Sequence, residues 1–278
     1  MAQEAQEAPA EGGQPNREGS AALTYRSYLA LDDVLGAQRP LSDEHDEMLF
    51  IVIHQVYELW FKQLIHEARH LQDRLEAGET PRVLHTLKRV LTILKVAVAQ
   101  IDVLETMTPR QFLGFRDRLE ASSGFQSAQF RELEAVLGRR DRRVFEHYPE
   151  GSADRERIAA AMARPSLFDS FLRYLATQGY EPPAEALERD VTLPLEPSPD
   201  VQRVVLKVYR DDGEPAQVAE RLIDVDEGVQ EWRYRHVKMV ERTIGSKPGT
   251  GGSSGAAYLR TTLSKPVFPD LWEVRNEL

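Results

Sequence analysis

Apolar residues recur three and four apart along almost the whole chain of 278 residues. No stretch shows the period of two that a half-buried strand needs. That periodicity predicts an all-α protein. Pro40 breaks the chain, and Asp43, Glu44, Asp46 and Glu47 then crowd a stretch that suits the first turn of a helix, where the dipole favours acids. An apolar-rich helix follows, to about Leu75, and Gly78 and Pro81 mark a turn. A second long helix, from about Arg82 to Thr106, buries Val83, Leu87, Val90, Leu91, Leu94, Val98 and Ile101. Thr108-Pro109-Arg110-Gln111 offers a cap, a proline at the first helical position and a glutamine at the third, the pattern of a capping box. A further long helix spans about Pro215 to Ile244 and runs into the glycine-rich loop 244–255. Long helices joined by short turns read as a bundle. The middle is less regular, and five prolines within 181–199 predict an irregular excursion inside one domain covering 21–278. Residues 1–20, acidic and rich in Gly, Pro and Gln, read as a disordered tail.

Composition narrows the function classes. Lys and Arg number 35 against 45 Asp and Glu, a formal charge of −10 that argues against a nucleic-acid partner. Cysteine is absent, which excludes disulfides, iron–sulfur clusters, thiolate metal sites and a cysteine nucleophile. The pure apolar runs Met48–Ile53 and Ile158–Ala163 fall far short of the ~20 residues of a membrane-spanning helix. The N-terminus lacks the apolar region of a signal peptide. A cytoplasmic protein without a membrane partner is the expectation.

Several side chains are candidates for chemistry. His54 follows an apolar run and shares a helix face with Phe50 and Glu58. It reads either as a core histidine satisfied by a carboxylate or as a hydrogen-bonding or acid–base group in a pocket. His236 lies on the stripe Val225, Val229, Trp232, His236 and Val240, with Arg233, Arg235, Lys238, Glu241 and Arg242 off it. It is either core or an iron ligand, since a haem takes one imidazole projecting from a helix into an apolar cavity. Arg116, near Phe112 and Phe115, needs an anion. Either Asp117 or Glu120 supplies it, or a ligand carboxylate does. The small polar segments Ser122-Ser123-Gly124 and Gly249 to Gly255 are surface turns or ligand-covering loops. His66-Glu67-Ala68-Arg69-His70 matches the H-E-x-x-H of zinc hydrolases letter for letter. The glycine and third histidine of the extended motif are missing, with Asp73 and Glu76 in their places. The spacing puts His66 and His70 on the solvated flank of a helix whose apolar face is Leu64, Ile65, Ala68 and Leu71.

Six stretches together resemble the tryptophan 2,3-dioxygenase family: LTYRSYLALDDVL (23–35), HDEMLFIVIHQVYELWFKQ (45–63), LETMTPRQFLGFRD (104–117), SSGFQS (122–127), WRYRHV (232–237) and GTGGSSG (249–255). The resemblance runs from about Leu23 to the C-terminus and leaves out the variable middle. It implies an all-α haem protein, a homotetramer with one haem b per subunit, ferrous when active. The implied reaction opens the indole ring of L-tryptophan with O2 at C2–C3, giving N-formyl-L-kynurenine, the first step of the kynurenine route. By the same resemblance, His236 is the axial ligand of the haem iron, and His54 hydrogen-bonds the indole N–H. Arg116 clamps the substrate carboxylate, and Thr250 meets the amino-acid end. Phe50 and Phe112 wall the indole, while Ser123 and Gly124 turn over the haem. Tyr25, Tyr28 and Leu29 complete a neighbouring subunit's pocket. Relatives in secondary metabolism oxygenate other indoles, so another indole or aromatic amino acid is the alternative substrate.

Overall fold

A computed structural model of the chain describes residues 22–120, 122–249, 255–263 and 265–278. Every regular element among them is helical. The chain divides into two units, one ending at Gln38 and the other running from Arg39 to Leu278. In the first, α1 (Tyr25–Tyr28) and α2 (Leu31–Leu35) are single turns. Thr24 and Ser27 form a capping box, and Arg26 pairs with Asp32. Leu23, Tyr25, Tyr28 and Leu35 are exposed.

The second unit opens with α3 (His45–Glu76). Glu47, in its first turn, is buried and accepts from the backbone N–H groups of Leu41 and Ser42, both at 2.8 Å. Gly78 takes a left-handed φ of +70°, which reverses the chain, and α4 (Thr80–Leu104) begins with Pro81 in its first turn. The helix α5 (Pro109–Arg116) starts on the capping box expected at Thr108 and Gln111. Helix α11 (Glu214–Ile244) packs along α4, and α4 packs along α3.

The middle is more regular than the sequence predicted. It holds α6 (Ala128–Leu137), α7 (Ala153–Met162), α8 (Leu167–Thr177) and α10 (Pro199–Asp211). Sidedness explains α8, which buries Phe168, Phe171, Tyr174 and Leu175 on the core against α3. Each such side chain contributes roughly 1.5–3 kcal/mol on burial. Within 181–199 only the single turn α9 (Ala184–Leu187) is helical. Arg189 fastens this stretch through Asp169 (2.6 Å), and Arg140 Nε through the Val191 carbonyl (2.7 Å). Two further turns, α12 (Ala256–Arg260) and α13 (Pro269–Glu273), finish the chain. Asp226, wholly buried on α11, accepts from the N–H groups of Val267 and Phe268 and from Trp272 Nε1, each within 2.9 Å, and so pins the C-terminal segment. No helix among the described residues is long and apolar enough to cross a membrane.

Candidate active site

At one end of the packed helices a cavity of about 250 Å³ opens between α3, α5, α6 and α11. The apolar stripe of α11 explains where it begins. Val225 and Val229 are packed into the core, whereas Trp232, His236 and Val240, further along the same face, line empty space. The stripe is continuous in sequence: Trp232 still packs on Phe61 and Phe130, and beyond it His236 and Val240 face the cavity.

His54 lines the cavity from α3. Its Nδ1 lies 2.7 Å from the carbonyl oxygen of Phe50, one turn back. Burial holds the imidazole below its ordinary pKa, with the Phe50 carbonyl and Glu58 only partly offsetting that effect. The ring is therefore neutral at pH 7. A carbonyl only accepts, so Nδ1 carries the proton and Nε2 is left as an acceptor. Glu58, the expected carboxylate partner, instead accepts from Gln129 Nε2 at 2.9 Å. Phe50 lies 4.1 Å from the His54 ring, centroid to centroid, and 5.8 Å from Phe112, giving the cavity one aromatic wall.

His236 lines the same cavity from α11 and stacks on Trp232 at 5.2 Å with 16° between the planes. It makes no hydrogen bond among the described residues. Burial, and secondly the His54 charge, push its pKa down to about 4. It is a neutral imidazole with a lone pair to give.

Arg116 ends α5 on the cavity wall. Neither Asp117 nor Glu120 pairs with it. Its Nη2 donates to the Pro248 carbonyl at 2.5 Å, and no carboxylate among the described residues meets the guanidinium. Ser123 and Gly124 also line the cavity, the Ser123 hydroxyl capping the turn by accepting from Phe125 N–H at 3.3 Å. Gly249 and Gly255, which bound the glycine-rich loop, both stand at the cavity wall. Thr250 and residues 251–254 between them lie outside the described residues. Phe50, His54, Phe112, Arg116, Ser123, Gly124 and His236, up to 186 positions apart in sequence, thus share one cavity.

A sequence model of the family described as tryptophan 2,3-dioxygenase matches residues 10–169 and 202–278. The chain belongs to the tryptophan 2,3-dioxygenase family. A family member from Anaeromyxobacter sp. (strain K) is 69% identical over 260 residues, covering 93% of this chain and 97% of the relative. Another from Herpetosiphon aurantiacus is 57% identical over 261 residues, 93% and 100% of the two chains. One from Caulobacter vibrioides is 44% identical over 259 residues, 92% and 98%. The stretch that the family match omits, 170–201, contains the proline-rich excursion.

Two findings correct the sequence picture of the site. The first is Arg233, which lies off the apolar stripe in sequence yet is buried, with Nη2 donating to Glu134 at 3.0 Å. Arg131, Glu134 and Arg139 join it on the cavity wall and were not singled out. The i, i+3 spacing of Arg131 and Glu134 was the one available signal, and such pairs are commonly solvated. The second concerns the zinc-like motif. His66 and His70 are exposed as expected, while Glu67 between them is buried and held by Gln63 (2.7 Å) and Arg89 (3.1 Å). The two imidazoles share the solvated flank while the glutamate that would have to serve as base beside them is turned into the interior, and no metal-binding group of acids and histidines occurs among the described residues.

Proposed function

We propose that this chain is a haem-dependent dioxygenase that cleaves the C2–C3 bond of the indole ring of L-tryptophan with O2, giving N-formyl-L-kynurenine. One juxtaposition carries the reading: a neutral imidazole and a guanidinium that meet no carboxylate among the described residues share one aromatic-walled cavity with a hydrogen-bond acceptor. The names of the relatives support the same substrate.

The residues fit a haem. His236 has no competing hydrogen bond among the described residues and is kept neutral by burial, as an imidazole that holds iron must be. Trp232 flattens the wall beside it. His236 would hold the iron, and Ser123 and Gly124 would border the ring. When bound, haem supplies the activation of dioxygen.

The chain's own side chains supply orientation. Arg116 grips the substrate carboxylate with paired N–H donors, exchanging the Pro248 carbonyl for a full negative charge. Thr250 meets the amino-acid end. The grip turns binding energy into proximity at the reacting carbons. His54 Nε2 accepts the indole N–H and fixes which edge of the ring faces the oxidant. An indole N–H is barely acidic, so the role of His54 is hydrogen bonding rather than complete proton removal. Phe50 and Phe112 flank the indole and exclude water. The atoms balance without an external reductant: C2–C3 breaks, and each carbon gains one oxygen atom of the same O2.

The reading includes one haem b per subunit, ferrous in the working state, and a cytoplasmic homotetramer in which Tyr25, Tyr28 and Leu29 complete a neighbouring pocket. Tyr25 and Tyr28 are 77% and 71% exposed, an aromatic surface available to another subunit. A cysteine-free chain suits a reducing compartment. The test is the product mass after ferrous protein meets L-tryptophan and isotopically labelled O2. Two labelled atoms in the product are expected. One labelled atom, or none, from a haem-loaded sample overturns the substrate or the reaction.

A further inference from the structure

A second cavity lies deeper in the same bundle, between α3, α4, α6, α8 and α11. It measures about 20 Å³, above the ~10–15 Å³ that admits one molecule the size of water. Every described residue that lines it is Leu, Val or Ala, and each is at most 6% exposed. Those side chains offer water no hydrogen-bond partner, which leaves the space dry. Its position is as informative as its lining. Phe61 on α3, Phe130 on α6 and Trp232 on α11 line the active-site cavity and pack together, with ring centroids 5.2, 5.9 and 4.9 Å apart. Three residues along the same helices, Leu64, Leu133 and Val229 line the second cavity. Such a step is ~4.5 Å along a helix axis, so a single layer of rings divides the two spaces. Phe61 and Phe130 carry no polar group. Packing alone holds them, and core side chains do hop between rotamers.

We infer that the second cavity is a holding site for dioxygen, one ring layer from the place where dioxygen is consumed. The inference rests on the proposed dioxygenase reading. Dioxygen is small, uncharged and without a dipole, so it leaves water for an apolar space without giving up a hydrogen bond. Tryptophan is too large for the cavity, and water is too polar. As substrate fills the larger cavity, the dry space behind the rings stays free for the second reactant.

The experiment begins with crystals of the haem-loaded full-length chain under xenon, an electron-dense apolar atom. Xenon should appear between Leu64, Leu133 and Val229, and an empty cavity there overturns the site while leaving the proposed reaction standing. In solution, with tryptophan saturating, xenon pressure should lower kcat/KM for dioxygen about threefold, reversibly, and leave KM for tryptophan unmoved. Ala68→Val adds two methyl groups at the cavity wall. It should abolish the xenon peak, lower kcat/KM for dioxygen by a similar factor and remove the response to xenon. A merely structural change would instead alter KM for tryptophan or the response to both substrates alike. The wild-type xenon titration decides the matter if the variant fails to fold. An unchanged kcat/KM for dioxygen, with xenon bound in the wild type or displaced in Ala68→Val, overturns the holding role. Xenon at the site in a haem-loaded sample that gives no doubly labelled product overturns the proposed reaction, and dioxygen as the occupant with it.

Discussion

Helix α3 carries two kinds of histidine. His54 lies where the helix borders the cavity, and its ring is desolvated, neutral and locked by its own backbone. His66 and His70, three and four turns on, stand in solvent on one flank, while the glutamate between them in sequence is buried. The exposed pair matches a famous catalytic pattern, whereas the buried one matches no short pattern at all. Chemistry on this helix therefore follows burial and partners rather than local spelling, because a side chain becomes reactive or selective when water is removed from it and a specific neighbour replaces the water.

The contrast can be broken or sharpened by substitution. The largest effect is expected from His236→Ala, across the cavity from His54. The purified chain should lose bound haem, read as loss of the intense absorption near 400 nm, and tryptophan turnover with it. Arg116→Ala should keep haem and lower kcat/KM for tryptophan by about two to three orders of magnitude, mainly through KM, as removing one partner of a charge pair costs ~2–5 kcal/mol. An unchanged KM would move the carboxylate clamp elsewhere.

His54→Ser should lower kcat by about ten- to a hundredfold with haem retained. It should also change the pH profile. The wild-type imidazole has a depressed pKa, so the acceptor at Nε2 is intact at neutral pH and is lost only as pH falls below the ordinary imidazole range. The wild type should then show an acid limb that the serine variant lacks. Glu67→Ala should spare catalysis but lower stability by about 1–2 kcal/mol, a fall of a few degrees in Tm, because Gln63 and Arg89 lose their acceptor. His66→Ala should change neither stability nor turnover beyond about ±0.5 kcal/mol. If it abolished turnover with haem in place, the comparison between the two parts of α3 would collapse.

Much of the site was legible in sequence because local rules govern it. Phe50 and His54 are four apart, so any helix puts them on one face. Thr108 to Gln111 spelled a cap, and the cap fixes where α5 begins and hence where Arg116 ends it. The charged cluster around Glu134 was not legible. Arg233 and Glu134 are 99 positions apart, and nothing within either helix distinguishes a solvated arginine from one that a distant carboxylate will bury. Within the middle, α7 was hidden for a related reason: it has little sidedness of its own, with runs of alanine and charge, and is fixed by packing on α6.

By itself, then, the sequence determined what depends on neighbours three and four residues away. That covers the helical class, the cap at Thr108, the turn at Gly78 and the apolar stripe carrying His236. Only the tertiary structure decided where that stripe runs out of partners and becomes a cavity wall. It also decided that Phe50 rather than Glu58 satisfies His54, that Arg116 donates to the Pro248 carbonyl rather than to Asp117 or Glu120, and that three arginines converge on one glutamate. Periodicity reports which side of a helix is apolar. It carries no information on which distant residues arrive to meet that side, and the energies of burial and charge pairing that make a site depend on those arrivals.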